Sequence, residues 1–130
     1  MPHWTPVFLP PDLPAPKGPY SPAVRAGDFI FVSGQTPRDP ATGQLEANDV
    51  AGQTRSTLGN LQRVLEQAGA GLADVVSVTV YLQDAGDWDA MNAVYREVFG
   101  APHPSRTTVG ADLRGILVEI SAVAYKPRGG

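Results

Sequence analysis

The chain has 130 residues, a formal net charge of −3, 42% hydrophobic residues and no cysteine. That length and composition fit one domain around one core and argue against global disorder. The acidic balance weighs against nucleic acid as a partner, and the missing cysteines remove disulfides, thiolate zinc sites and cysteine nucleophiles together.

Prolines crowd the first residues, "MPHWTPVFLPPDLPAP". Proline fixes φ and pushes the residue before it toward extended geometry, so no helix fits here. Residues 1–14 read as a proline-rich amino-terminal arm, free or docked, and residues 15–130 as a single domain. The arm lacks the basic start and continuous apolar stretch of a signal peptide, and no apolar run approaches the roughly 20 residues that cross a membrane. A cytoplasmic protein that does not engage a membrane is the expectation.

Val24 to Ala26 and Phe29 to Ser33 are β-prone runs around Gly27-Asp28, the pattern of a hairpin. "FIFVSG" stops at Gly34, and "TPRDPATGQ" is turn chemistry. Asn48 or Asp49 can cap a helix running to about Ala68. Its apolar face holds Val50, Thr54, Leu58, Leu61, Val64, Leu65 and Ala68, and Gly69 stops it. Asp74 to Leu82 predicts a strand with Val76, Val78, Val80 and Leu82 on one face and Ser77, Thr79 and Tyr81 on the other.

A second helix is expected from about Asp87 to Gly100, with Trp88, Met91, Tyr95 and Phe99 on its apolar face and Val94 and Val98 beside it. A proline-bounded turn follows, then a short strand at Thr107 to Val109, a loop around "DLRG", and a last strand from Ile116 to Tyr125. The order β-β-α-β-α-β-β predicts an α+β sheet with both helices on one face. The other face would carry Ser77, Thr79 and Tyr81 together with Leu117, Glu119, Ser121, Val123 and Tyr125. A face so mixed calls for cover by a second subunit.

Two charged residues stand out in "HPSRTTVGADLRGILVEISAVAY". Arg106 enters a strand from a turn, and its planar guanidinium can grip a carboxylate with two parallel bonds. Glu119 lies between Val118 and Ile120, and a glutamate in so apolar a strand faces a polar cleft, pairs with a cation, or points to water at an edge. In a partly dry site its pKa rises toward neutrality, as a general base or acid requires. Tyr20 in "GPYSPAV" and Ser33 in "VSGQ" sit where tight turns and strand ends expose hydroxyl and N–H groups. Asn92 follows Trp88 by one helical turn and could cap a neighbour or touch a ligand. His3 and His103 have no metal-ligand spacing, and His103 reads as a turn residue. No phosphate-binding loop is present; "GAGAG" at Gly69 is a helix stop.

The segments "APKGPYSPAV", "FIFVSGQTPRDPATGQ", "NAVYREVFG" and "HPSRTTVG…LVEISAVAY", taken in that order, resemble the Rid (YjgF) family of reactive-intermediate imine deaminases. The resemblance runs from Ala15 to Tyr125. It implies a chorismate-mutase-like α+β fold, a homotrimer with a barrel-like core, and sites in the clefts between subunits. The implied reaction is hydrolysis of 2-enamine and 2-imine acids, such as 2-aminoacrylate released by pyridoxal-phosphate enzymes, to 2-keto acids and ammonia. No metal and no cofactor are implied. Carried over by position, Arg106 matches the residue that grips the substrate carboxylate, and Glu119 the one that orients or activates the attacking water. Tyr20, Ser33 and Asn92 match pocket-lining positions, Gly34 a backbone contact, and Thr108 a place where relatives carry cysteine or serine. Pro22 stands where glutamine is common, and the "DLRG" loop is short. The competing readings are a deaminase dedicated to one pathway (of 2-aminomuconate or aminoacrylate-derivative type), a sensor of small carboxylates without turnover, and an RNA-directed activity that the acidic balance disfavours.

Overall fold

The computed structural model describes residues 2–128. Met1, Gly129 and Gly130, the outermost residues of the expected arm and domain, lie outside the described residues. The strands are β1 (Thr5–Val7), β2 (Ala23–Ala26), β3 (Phe29–Gln35), β4 (Val75–Leu82), β5 (Ser105–Gly110) and β6 (Val118–Tyr125); the helices are α1 (Val50–Gln67) and α2 (Trp88–Val98). One sheet takes all six strands in the order β1-β2-β3-β6-β4-β5. β4 and β5 run parallel and every other pair antiparallel. α2 supplies the long crossover that a parallel pair needs. Among the described residues no helix is long and apolar enough to cross a membrane.

The local chemistry explains each element. β2 and β3 form the expected hairpin, with Ala26 opposite Phe29 across Gly27-Asp28. Asp49 caps α1, its carboxylate accepting from the Gly52 N–H at 3.0 Å. Gly69, at φ +79°, ends the helix in the left-handed region that side chains avoid. The proline-rich arm is docked in part: Thr5–Val7 pair with β2, and Val7 and Leu9 pack against the core.

The core lies between the helices and one face of the sheet. Leu58, Leu61 and Leu65 of α1 and Met91 and Tyr95 of α2 meet Val78, Val80, Leu82, Val118, Ile120, Ala122 and Ala124. Burying each large aliphatic side chain stabilises the fold by about 1.5–3 kcal/mol. Four polar residues on α1, Gln53, Thr54, Thr57 and Asn60, are buried as well. Gln53 accepts from the Leu117 N–H at 2.8 Å and donates to the Ala47 carbonyl at 3.1 Å. Asn60 donates to the carbonyls of Thr36 and Arg38, both at 2.8 Å, and so ties the turn after β3 to the helix. Thr57 is buried beside them.

Two sequence expectations are corrected. Val76 is 45% exposed rather than buried, because the β4–β6 register shifts between Val75 and Ser77. That extra residue turns Val75 inward and Val76 outward. Trp88 is 41% exposed rather than part of the buried face of α2. It opens the helix, where the sheet no longer covers it. Strand ends also move: β5 begins at Ser105 and β6 at Val118. The sheet face away from the helices is the mixed surface expected. It exposes Phe29, Phe31 and Tyr125, whose rings cluster, Phe29 lying 6.5 Å from Phe31 and 5.1 Å from Tyr125.

Candidate functional site

Strand register decides which candidate residues can meet. β6 alternates buried Val118 and Ile120 with half-buried Glu119, so Glu119 points away from the helices. Its cross-strand partner is Tyr81. The register between β3 and β6 is regular through Val32 opposite Ala122 and then shifts before Gln35 opposite Ile120. Ser33 and Gly34 form that irregularity. The carboxylate of Glu119 lies directly over Gly34, in the space a side chain there would fill. Gly34 is required for this close approach.

Burial pushes the Glu119 carboxyl above its ordinary value. Among the described residues the ion pairs are Arg55–Glu97 and Lys126–Asp74, so Glu119 has no cation opposite it. It is a partly dry, unpaired carboxylate at the edge of a glycine. Beside it the Ser33 hydroxyl donates to the Ser21 carbonyl at 2.7 Å, and the Ser33 N–H donates to the Pro22 carbonyl at 3.0 Å. These bonds hold "YSP" against the end of β3, with the Tyr20 ring exposed next to it. Tyr20 and Gly34 line the same cleft.

Arg106 stands elsewhere. On β5 it pairs with Val78, and Val78 in turn with Ala122, so its side chain shares the helix-side face. Its guanidinium carbon lies 4.7 Å from the ring centre of Tyr95 and 5.9 Å from that of Trp88. One guanidinium nitrogen points at the Met91 sulfur, 3.9 Å away. Two aromatic faces therefore hold the cation without neutralising it, leaving its N–H fork for a ligand. Desolvation raises the Tyr95 phenol, with Arg106 acting in the opposite direction. The Tyr95 hydroxyl is buried and has no hydrogen-bond partner, as is true of the Thr108 hydroxyl on the same side of β5. Asn92 is half-buried on α2, one turn after Trp88.

The candidate residues thus fall into two groups in one chain. Tyr20, Ser33, Gly34 and Glu119 gather at the end of β3, and Arg106, Thr108 and Asn92 belong to β5 and α2. β4 separates Glu119 on β6 from Arg106 on β5, two interstrand spacings or roughly 10 Å, and β3 with Ser33 and Gly34 lies one strand further. The aromatic cradle was not read from sequence. Tyr95 and Trp88 look there like apolar helix positions, and the signal that could have found them is an arginine entering the strand that follows an aromatic-faced helix. Among the described residues no cluster of His, Asp and Glu could hold a metal ion.

Comparison with known proteins gives this geometry a setting. The family model described as Endoribonuclease L-PSP matches residues 11–126. The RutC family protein PH0854 of Pyrococcus horikoshii is 46% identical over 122 residues, which cover 92% of this chain and 97% of that one. The 3-aminoacrylate deaminase RutC of Acinetobacter baylyi is 36% identical over 121 residues, 92% of this chain and 96% of that one. The crystal structure of E. coli TdcF with bound serine superposes with a TM-score of 0.83 at 32% identity, over 92% of this chain and 98% of that one.

Proposed function

The chain belongs to the Rid (YjgF) family, and on that premise we propose that it hydrolyses reactive 2-enamine and 2-imine acids to 2-keto acids and ammonia. The observation that carries the reading is the seat of Glu119. A carboxylate that is half-buried, raised in pKa and free of any cation costs stability, and such groups cluster at functional sites. In the reaction, the enamine first takes a proton on carbon to give the protonated imine, and water adds to the imine carbon while Glu119 accepts its proton, which leaves a neutral carbinolamine. Glu119 then gives that proton to the amino nitrogen, the C–N bond breaks to release ammonia, and the hydroxyl oxygen becomes the keto oxygen as its proton passes to the freed Glu119 carboxylate and on to solvent. Arg106 holds the substrate carboxylate in its guanidinium fork.

Because Arg106 and Glu119 lie on opposite faces of one chain, the working site is built between subunits. Arg106 and its aromatic cradle come from one, Glu119 with Gly34, Ser33 and Tyr20 from the next. A homotrimer closes that arrangement and covers the exposed Phe29, Phe31 and Tyr125. Serine, found bound to the E. coli relative, and 3-aminoacrylate, named for the Acinetobacter relative, are both small carboxylates carrying an amino group, the class of compound this reading requires. The latter name also supports a second reading, a deaminase dedicated to 3-aminoacrylate.

The test is to generate 2-aminoacrylate in a cuvette with a serine or threonine dehydratase and follow keto-acid formation. The native chain should accelerate it and Arg106→Ala should not. No acceleration with several amino-acid-derived imines would overturn the general reading. Acceleration confined to 3-aminoacrylate would select the second. Full activity from a species that sediments as a monomer would overturn the shared site.

A further inference from the structure

A second concave feature has Gly34 at its edge. It is an open cleft of about 650 Å3, bounded by residues 8–11 and 13–17, by the turn residues that follow β3, and by α1. Neither Arg106 nor Glu119 lines it. Its size suits a small organic ligand.

The charge in this cleft runs against that of the chain. The protein carries 10 Lys and Arg against 13 Asp and Glu. Yet Lys17, Arg38 and Arg63 line the cleft, with Asp39 the one carboxylate among them. That carboxylate is already engaged, accepting from the Ala41 N–H at 2.8 Å and the Thr42 N–H at 3.1 Å. Those two bonds first, and the nearby Arg63 charge to a smaller extent, hold its pKa below the usual value. Arg38 donates to the Gly43 carbonyl at 3.0 Å, which shapes the turn. Lys17 and Arg63 form no ion pair among the described residues. Phe8, 62% exposed, and Leu9, which packs against the core, line the same cleft. Apolar lining beside cations that form no ion pair is the chemistry that holds an amphipathic anion.

We propose that this cleft is a second ligand site, for a small organic anion with an apolar body and a carboxylate or phosphate head. Lys17 and Arg63 take the head, and the Phe8–Leu9 segment of the arm covers the body. Pairing of Thr5–Val7 with β2 holds that segment in place. The site adjoins the reaction centre and shares Tyr20 and Gly34 with it, while Lys17 and Arg63 lie outside that centre.

The probe is 1-anilinonaphthalene-8-sulfonate, an apolar body with one anionic head, titrated by fluorescence against the native protein, Arg106→Ala, and the double variant Lys17→Glu/Arg63→Glu. The double variant should bind roughly tenfold more weakly or worse, and Arg106→Ala should bind as the native chain does. Arg63→Gln, a single neutral change at an exposed position, should weaken binding in the same direction should the double variant not fold. The uncharged N-phenyl-1-naphthylamine should bind far less well than the sulfonate. Naphthoate and naphthyl phosphate then tell the two heads apart, since either one displacing the probe supports the site. Equal binding by native and double-variant protein, loss of binding in Arg106→Ala, or displacement by neither competitor would overturn the proposal. The readout needs no turnover, so a failed deaminase assay leaves it intact.

Discussion

The guanidinium of Arg106 and the carboxylate of Glu119 project from opposite faces of the same sheet. Arg106 shares its face with Val78 and Ala122, and Glu119 stands opposite Tyr81 on the other. Neither screens the other, so each keeps its charge for a partner outside its own chain.

Replacing Glu119 by Gln should separate binding from turnover. A keto acid that cannot react should bind the variant about as well as the native chain, while kcat falls by about 10²-fold or more. Lost affinity with unchanged kcat would point to a binding role instead.

The same variant should be more stable at neutral pH. Glu119 is an acid whose folded pKa is raised, so the folded chain binds its proton more readily than the unfolded chain does. Its stabilising contribution is present below the ordinary glutamate pKa and is lost as pH rises through the folded value. Glu119→Gln should therefore raise Tm by a few degrees near pH 7, and the gain should vanish near pH 4. In the native enzyme, the general base should switch off with falling pH at a value above that of a free glutamate. A thermal-melt series across pH and a pH–rate profile check both.

Gly34→Ala should lower kcat with little effect on stability. Gly34 is exposed, and its φ lies outside the left-handed region, so the backbone accepts alanine. The new methyl would occupy the place of the Glu119 carboxylate, which is the free end of a flexible side chain and swings away. Misplacing a reacting group by about 1 Å can cost about 10²-fold. A kcat loss of that order with Tm within about 2 °C of native is the expected result. Unchanged kcat would mean that the position of Glu119 over Gly34 does not matter.

Tyr95→Phe and Tyr95→Leu should differ. Phenylalanine keeps the ring under Arg106 and removes a buried hydroxyl that has no partner, so KM should hold and Tm should rise slightly. Leucine removes the ring face, a contact of about 0.5–2 kcal/mol, and KM should rise by about 2- to 30-fold. Equal KM values for the two variants would exclude the cradle as a positioning device.

Much of the fold was legible in the sequence. Periods of two and of three to four residues placed β4, β6 and both helices, and Asp49 and Gly69 marked the ends of α1. The misses share a cause. Val76 and Trp88 obey the local period and are turned outward by events the period does not record, a register shift and a helix start beyond the sheet. Thr5–Val7 gains its partner, β2, only through the tertiary fold, since prolines hide a strand from any pattern. The site residues were individually visible, Arg106 and Glu119 above all. That they face opposite ways was not, because it depends on β4 lying between β6 and β5 and on its register with each. Alternation within a strand does not reveal strand order.

The cradle of Arg106 and the seat of Glu119 also differ in how they are assembled during folding. Trp88, Met91 and Tyr95 belong to the crossover that delivers β5, so the cradle closes within one continuous stretch of chain. Gly34 and Glu119 come from near opposite ends of the sequence and meet only once β3 has found β6. Contacts between neighbours in sequence form early and reopen locally, whereas those between distant segments need the whole sheet. Conditions that loosen the β3–β6 seam would unseat the carboxylate while the arginine kept its grip. A chain ageing in that manner would turn from a catalyst into a trap for the compounds it once released.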